Sequence, residues 1–304
     1  MKDSNFFDEI EKLNLEYLEI KESEEYLNGL KSKNLKKMIK GFHFITILKK
    51  IKMELGFRKY NRPVDYKLIS INNAIDKNAK IVVYSCITGS YDSVYEPAFN
   101  LPNVEYILFS DTKIKTEKWK NIVIPKEIIE KYNSNILVNR YYKMNPHEVF
   151  KDNNYDYSIY VDGNVKIISN IAKLVTRINK DYGIAFHYHS ARKCIYNEGK
   201  LCKITKKGNK ANIDKQLKRY KEEGFPSDYG MTECNVIVSD LNNKESKKIL
   251  TEWWNEFLKS ESFRDQLSLP YVLWKNNIKI ESIATLGLSV FKNPIVRVER
   301  NHKK

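Results

Sequence analysis

The chain of 304 residues carries a formal net charge of +15, with 42% hydrophobic and 30% charged residues, the balance of a globular protein able to bury one large α/β core or one domain plus an appendage. Its longest apolar stretch, residues 42–48, is short and interrupted by His43 and Thr46, which excludes a transmembrane helix there. The opening Met-Lys-Asp-Ser-Asn has no apolar signal core, and Cys86, Cys194, Cys202 and Cys234 have neither zinc nor Cys-x-x-Cys spacing, so reduced thiols in a cytoplasm are expected rather than secretion by that route.

Charge is uneven along the chain. Residues 1–30 hold three basic and nine acidic side chains, whereas residues 31–60 hold ten basic and one acidic. The first block reads as a helix over 6–30 with Phe6, Phe7, Ile10, Leu13, Tyr17, Leu18 and Ile20 apolar. The second reads as a helix over 35–55, with Leu35, Met38, Ile39, Phe42, Ile45, Leu48 and Ile51 forming a stripe among lysines. That is the pattern of a basic helix lying on an anionic membrane surface, and equally of a helix packed on the protein body with solvated lysines. The two together form an expected helical appendage over 1–60. Residues 61–79, with Pro63 and a polar run from Asn72 to Asn78, read as a linker.

A body beginning near Lys80 alternates strands and helices, which means an α/β fold. Residues 80–86 are a near-continuous apolar run, as for a strand covered on both faces, and open into Thr88-Gly89-Ser90-Tyr91-Asp92. A second strand, 104–109, ends in Ser110-Asp111, and a short one spans 121–124. Helices are expected over 126–132, 136–144 and, after Asn145-Pro146, 146–151. The run Tyr157-Ser-Ile-Tyr-Val-Asp-Gly-Asn164 is a buried strand ending in a carboxylate and an amide two residues apart. Those oxygen ligands can share Mg²⁺ or Mn²⁺, and Asp-Gly-Asn is also ordinary turn chemistry. Next come a helix over 170–179, a strand over 183–186 ending in His187-Tyr188-His189, and residues 192–221, with eleven basic and two acidic side chains. This basic stretch reads as a lid or acceptor loop, and Asn212 as the cap of a helix that runs to Glu223, ended by Gly224. A strand over 233–238, helices over 242–259 and 263–276, and a strand over 278–282 close the body. Four strands thus deliver polar groups at their C-terminal ends, where open α/β sheets bind ligands. The glycine pattern of the 88–92 loop is neither a phosphate loop nor a dinucleotide fingerprint.

Arg140 and Lys143 lie one helical turn apart and so on one face, able to meet phosphates or merely solvent. His187 and His189 alternate along their strand, so only one is expected in a site; Arg192 is an anion candidate beside them. Glu233 and Asp265 are the acidic candidates for catalysis, either as the base that deprotonates an acceptor hydroxyl or as the carboxylate that stabilises an oxocarbenium-like centre, although Asp265 also suits the start of a helix.

The motifs Tyr84-Ser-Cys-Ile-Thr-Gly-Ser-Tyr-Asp92, Phe109-Ser-Asp111, Asn139-Arg-Tyr-Tyr-Lys-Met-Asn-Pro-His147, Tyr160-Val-Asp-Gly-Asn164 and His187-Tyr-His-Ser-Ala-Arg-Lys-Cys194 resemble, over roughly 80–290, a glycosyltransferase-like family of plant mucilage-related and bacterial surface-polysaccharide proteins. The resemblance implies a GT-A fold, with a mostly parallel sheet flanked by helices over 80–304. It implies a nucleotide-sugar donor, probed first as a UDP-sugar, and a glycan or glycolipid acceptor. Thr88, Gly89, Tyr91, Asp92, Asp111, Arg140, Lys143 and Asp162 would lie on the donor side. His187, His189 and Arg192 would meet acceptor or phosphate, and Glu233 and Asp265 would be catalytic. Asp162 and Asn164 would hold Mn²⁺ or Mg²⁺, with Asp-Gly-Asn standing where that class has Asp-x-Asp. The expected place of action is the cytoplasm, at the inner face of the plasma membrane. A nucleotidyl- or phosphotransferase is the rival enzyme. A basic lipid- or nucleic-acid-binding protein is the rival without catalysis, though no nucleic-acid reader motif is present and no nucleic-acid partner is expected.

Overall fold

The computed structural model describes residues 44–61 and 69–299. The helix expected over 6–30 lies outside them, as does the start of the one expected over 35–55, whose described part is α1 (Phe44–Tyr60). From residue 69 the expected linker is irregular and held to the body, where Asn73 donates through its side chain to the Ile178 carbonyl at 2.6 Å and through its backbone to Thr176.

Six strands form the central sheet: β1 (Ile81–Ile87), β2 (Val104–Ser110), β3 (Lys120–Val123), β4 (Tyr157–Val161), β6 (Ile184–Tyr188) and β7 (Thr232–Asp240), in the order β3-β2-β1-β4-β7-β6. β1 pairs in parallel with β2 and β4, and β2 with β3. β7 is antiparallel to both β4 and β6, so β6 runs in the direction of β4. The C-terminal ends of β1, β2, β4 and β6 therefore share one edge, joined there by the start of β7. A small second sheet pairs β5 (Val165–Ile167) with β8 (Val296–Val298).

The period of two along β1 decides the layering. Val82, Tyr84 and Cys86 enter one core with helix residues such as Trp253 and Leu269, whereas Ile81, Val83 and Ile87 enter the opposite core with β5 and β8. Helices cover the first face: α2 (Lys126–Tyr132), α3 (Asn135–Met144), the short α4 (Pro146–Val149), α7 (Lys244–Ser260) and α8 (Asp265–Lys275). Ser134 caps α3 by accepting from the Leu137 amide. A 3-10 helix, Ile171–Arg177, replaces the longer helix expected after β4.

Two expectations fail here. The segment 192–221 is not a lid or acceptor loop: its first half is a packed helix, α5 (Ile195–Thr205), and the helix expected from Asn212 to Glu223 is α6 (Lys210–Glu222). Ile195, Cys202, Ile213, Leu217 and Tyr220 build a third core with Met231 and Leu267. Asn209, not Asn212, caps α6. The strand expected at 278–282 is a short helix, α9 (Ile280–Ile283), because a brief apolar run fits either state. Among the described residues no helix is long and apolar enough to cross a membrane.

Candidate active site

The sheet edge is built from loops that hold one another. At the end of β1, Gly89 and Ser90 both adopt positive φ, and the Gly89 amide donates to Asp111 at 2.7 Å, tying the β1 loop to the end of β2. Thr88 donates to the Asn135 carbonyl at 2.9 Å, anchoring that loop to α3. A Cβ on Gly89 would lie 2.5 Å from Asn135. At the end of β4, a Cβ on Gly163 would lie 2.8 Å from Asp92 Oδ2 and 2.9 Å from its Cβ. The glycine of Asp-Gly-Asn is therefore required by the close approach of Asp92. Tyr91 is exposed.

Four charges meet where these loops converge on α3 and the start of α8. The buried Lys143 ammonium donates to Asp162 Oδ1 at 3.2 Å and to Asp265 Oδ2 at 2.8 Å. Arg140 Nε lies 3.1 Å from the same Asp265 oxygen, and its Nη1 donates to Asn139, which in turn donates to the Cys86 carbonyl. The face shared by Arg140 and Lys143 is thus turned inward onto carboxylates. Lys143 and Asp265 are 1% and 5% exposed, against 21% for Arg140 and 23% for Asp162, so the latter two are the members open to a ligand. Burial alone would raise the Asp265 pKa, but Arg140, Lys143 and Arg264 hold it far below the ordinary carboxylate range. A carboxylate so held is a weak base. Its geometry fits positioning the two cations, and not the proton-accepting role expected of it.

A metal at Asp162 and Asn164 fits these residues poorly. Asp162 Oδ1 accepts from Lys143, and Oδ2 accepts from the Asn235 amide at 3.0 Å. The Asn164 amide donates to the Glu299 carbonyl at 3.3 Å, and its backbone carbonyl accepts from the Glu299 amide, so it serves the junction with β8. Among the described residues no three His, Cys, Asp or Glu side chains gather as a metal-holding group.

The acceptor-side residues are placed otherwise than expected. His187 is fully buried, 2.8 Å from Asn293, and burial pushes its pKa down to about 3. His189 is also buried, with Nε2 2.9 Å from Arg192; burial first and then Arg192 bring it down to about 4. A register irregularity in β6 between Ala185 and His187 accompanies the burial of both rings, and neither opens to an acceptor. Arg192 pairs with Glu198 at 2.7 Å. Glu233 is buried beneath the Val290 amide, which donates to it at 2.6 Å, and the Ser289 hydroxyl. It fixes the turn before β8, and burial raises its pKa to about 7.

Three participants escaped the sequence reading. Asn235 holds both the Asp162 side chain and, through its carbonyl, the Asp162 amide; an Asn inside a β-branched strand was its one signal. Glu198 pairs with Arg192 and lies 3.5 Å from Arg264. Burial would raise it, yet these cations bring it down to about 2. Arg264 itself reaches across to Asp265 electrostatically. The contact between Glu198 and Arg264 joins segments 66 positions apart, which no local pattern announces. Beside Asp162, a cavity of about 10 Å³ lined by Ser85, Trp119 and Gly163 has room for about one water.

The model of the TOD1/MUCI70 glycosyltransferase-like domain matches residues 19–299. The chain belongs to that family. The α/β architecture with a mostly parallel sheet flanked by helices agrees with the expected fold. Solved structures similar to this TOD1/MUCI70 member include glycosyltransferases. The bifunctional enzyme WbbM is 12% identical with a TM-score of 0.43, covering 79% of this chain and 49% of WbbM. Core-mannan synthase A of Aspergillus fumigatus, in its Mn/GDP form, is 10% identical with a TM-score of 0.37, covering 75% and 79%. Among curated proteins, the Ras-related protein RABG3b of Arabidopsis thaliana is 38% identical over 53 residues, 17% of this chain and 26% of that protein. The chain thus spans about a quarter of the length of the curated relatives it matches and about half of WbbM. The sequence has no Gly-x-x-x-x-Gly-Lys-Ser/Thr loop, the feature by which such GTPases hold phosphates.

Proposed function

We propose that this protein transfers a sugar from a nucleotide diphosphate donor, with UDP-sugars the first to test, to a glycan or glycolipid acceptor of bacterial surface polysaccharide such as capsule or lipopolysaccharide. The observation that carries the reading is the meeting of Arg140, Lys143, Asp162 and Asp265 at the edge where four strands deliver their C-terminal ends. In sugar transfer the bond from the anomeric carbon to the diphosphate breaks as the acceptor oxygen bonds, and charge builds on the departing phosphate. Fixed cations at that point favour the transition state without reorganising. Arg140 is the cation open to the edge, and Asp265 and Lys143 hold it and Asp162 in register. The loop tied by Gly89 to Asp111 would meet the nucleoside.

The test is nucleotide release from a panel of UDP-, GDP- and CMP-sugars, where water replaces the acceptor in slow hydrolysis. We expect one donor class to release its nucleotide, and Asp162→Ala and Arg140→Ala to lose at least about tenfold of that rate, the range of a removed charge-stabilising group. Pyrophosphate release from a nucleoside triphosphate would point instead to a nucleotidyltransferase. No release from any donor would reject the reading.

A peripheral membrane position is part of the proposal. Ile51, Met53 and Leu55 of α1 are exposed among Lys52, Arg58 and Lys59, an arrangement suited to an anionic surface.

A further inference from the structure

We propose that the donor diphosphate is neutralised here by Arg140, with Lys143 standing in the place of a divalent cation against Asp162, so that donor binding needs no metal. The inference rests on the donor reading above. A cation of the Mg²⁺ type needs open carboxylate oxygens and few competing positive charges. At Asp162 one oxygen takes the Lys143 ammonium and the other the Asn235 amide. The ammonium cannot swing away into solvent, because it is 1% exposed and also bound to Asp265. It lies 5.3 Å from the centre of the Tyr160 ring, against its face. A metal on Asp162 would therefore sit beside a buried positive charge that has no alternative position.

The neighbouring charges fix both cations in place. Arg140 and Lys143 share the Asp265 carboxylate, so neither is left to be displaced from the edge by an incoming ion. Asn164, the other expected ligand, is tied to the junction of β5 and β8 through its Nδ2, which donates to the Glu299 carbonyl; that bond does not take up its Oδ1, so it is Asp162 that disfavours the metal.

The experiment measures UDP and GDP binding to the full chain by calorimetry in excess EDTA and again with Mn²⁺, together with Mn²⁺ alone by electron paramagnetic resonance. We expect the nucleotide dissociation constant to change by less than about threefold between the two conditions, and Mn²⁺ alone to stay free. Arg140→Ala should weaken nucleotide binding at least tenfold in EDTA, with Arg140→Lys recovering part of it. Lys143→Gln, confirmed folded by circular dichroism, should gain Mn²⁺ binding that wild type lacks, because Asp162 and Asp265 then lose their shared cation. A wild-type affinity that rises tenfold or more with Mn²⁺ would overturn this inference alone. Absence of nucleotide binding in both conditions would overturn the donor reading and this inference with it.

Discussion

At the scale of single residues, buried carboxyl groups in this protein divide by their partners. Asp265 and Glu198 are buried with cations and stay ionised. Glu233 is equally buried but receives only neutral donors close by, and burial lifts its pKa to about 7. In the unfolded chain a Glu titrates near 4.3, roughly. A raised folded value means that folding favours the protonated form. That contribution is complete below about pH 4.3 and is lost as the pH rises through about 7. Glu233→Gln keeps an acceptor oxygen for Val290 without the charge. Thermal melts at pH 5 and pH 8 should therefore show the wild type losing stability relative to Glu233→Gln at the higher pH. Parallel pH profiles for the two proteins would count against the assignment. Asp265 has the opposite sign, stabilising above about pH 4 and losing that share as acid approaches its depressed folded value.

Among the elements, caps and close approaches set where each piece ends. Asn243 caps α7 by accepting from the Ser246 amide at 3.0 Å, and donates to the Lys180 carbonyl at 2.8 Å. It also lies against Gly183, where φ is +63° and an added Cβ would meet Asn243 at 2.4 Å. Helix and strand are thereby joined at one residue. Asn243→Ala should lower stability by about 1 kcal/mol, the usual value of a cap, measured as a shift in the urea midpoint with unchanged slope. An unchanged midpoint would mean that water replaces the cap at no cost. The two helices of the 192–221 segment show why charge misled the sequence reading. Their lysines are mostly outward, while Ile195, Ile213 and Tyr220 are fully buried, and Gly199 lets Leu217 approach closely enough that a Cβ would lie 2.3 Å away.

For the molecule as a whole, α1 is attached through α5. Gly56 packs under Ile204 and Leu201, and Lys200 lies 5.4 Å from the centre of the Tyr60 ring. The opposite side of α1 leaves Ile51 and Leu55 exposed. The full chain should sediment with anionic liposomes, less so as salt screens the lysines. Ile51→Glu combined with Leu55→Glu should weaken that binding about tenfold or more, because two apolar contacts are lost and two repelling charges gained. Hydrolysis of a soluble donor should be unaffected. Undiminished liposome binding by the double variant would remove the anchoring role.

The apolar runs ending in Ser110-Asp111 and Asp162-Gly163, and the helical pattern carrying Arg140 and Lys143, were local signals. They determined the α/β class and which residues stand at the sheet edge, because burial of a strand on both faces needs only its own side chains to be apolar. What those residues do there was decided by tertiary contact. Asp162 reads as a metal ligand until Lys143, nineteen positions earlier, and Asn235, on the reversed strand β7, occupy its oxygens. Asp265 reads as a base or a charge-stabilising carboxylate, and the base role falls once Lys143, 122 positions earlier, and Arg140 close on it. His187 and Glu233 read as site residues until the 289–293 segment covers them. A side chain's type and spacing follow from the sequence, but its protonation and free oxygens depend on charges and burial supplied by segments far away in the chain.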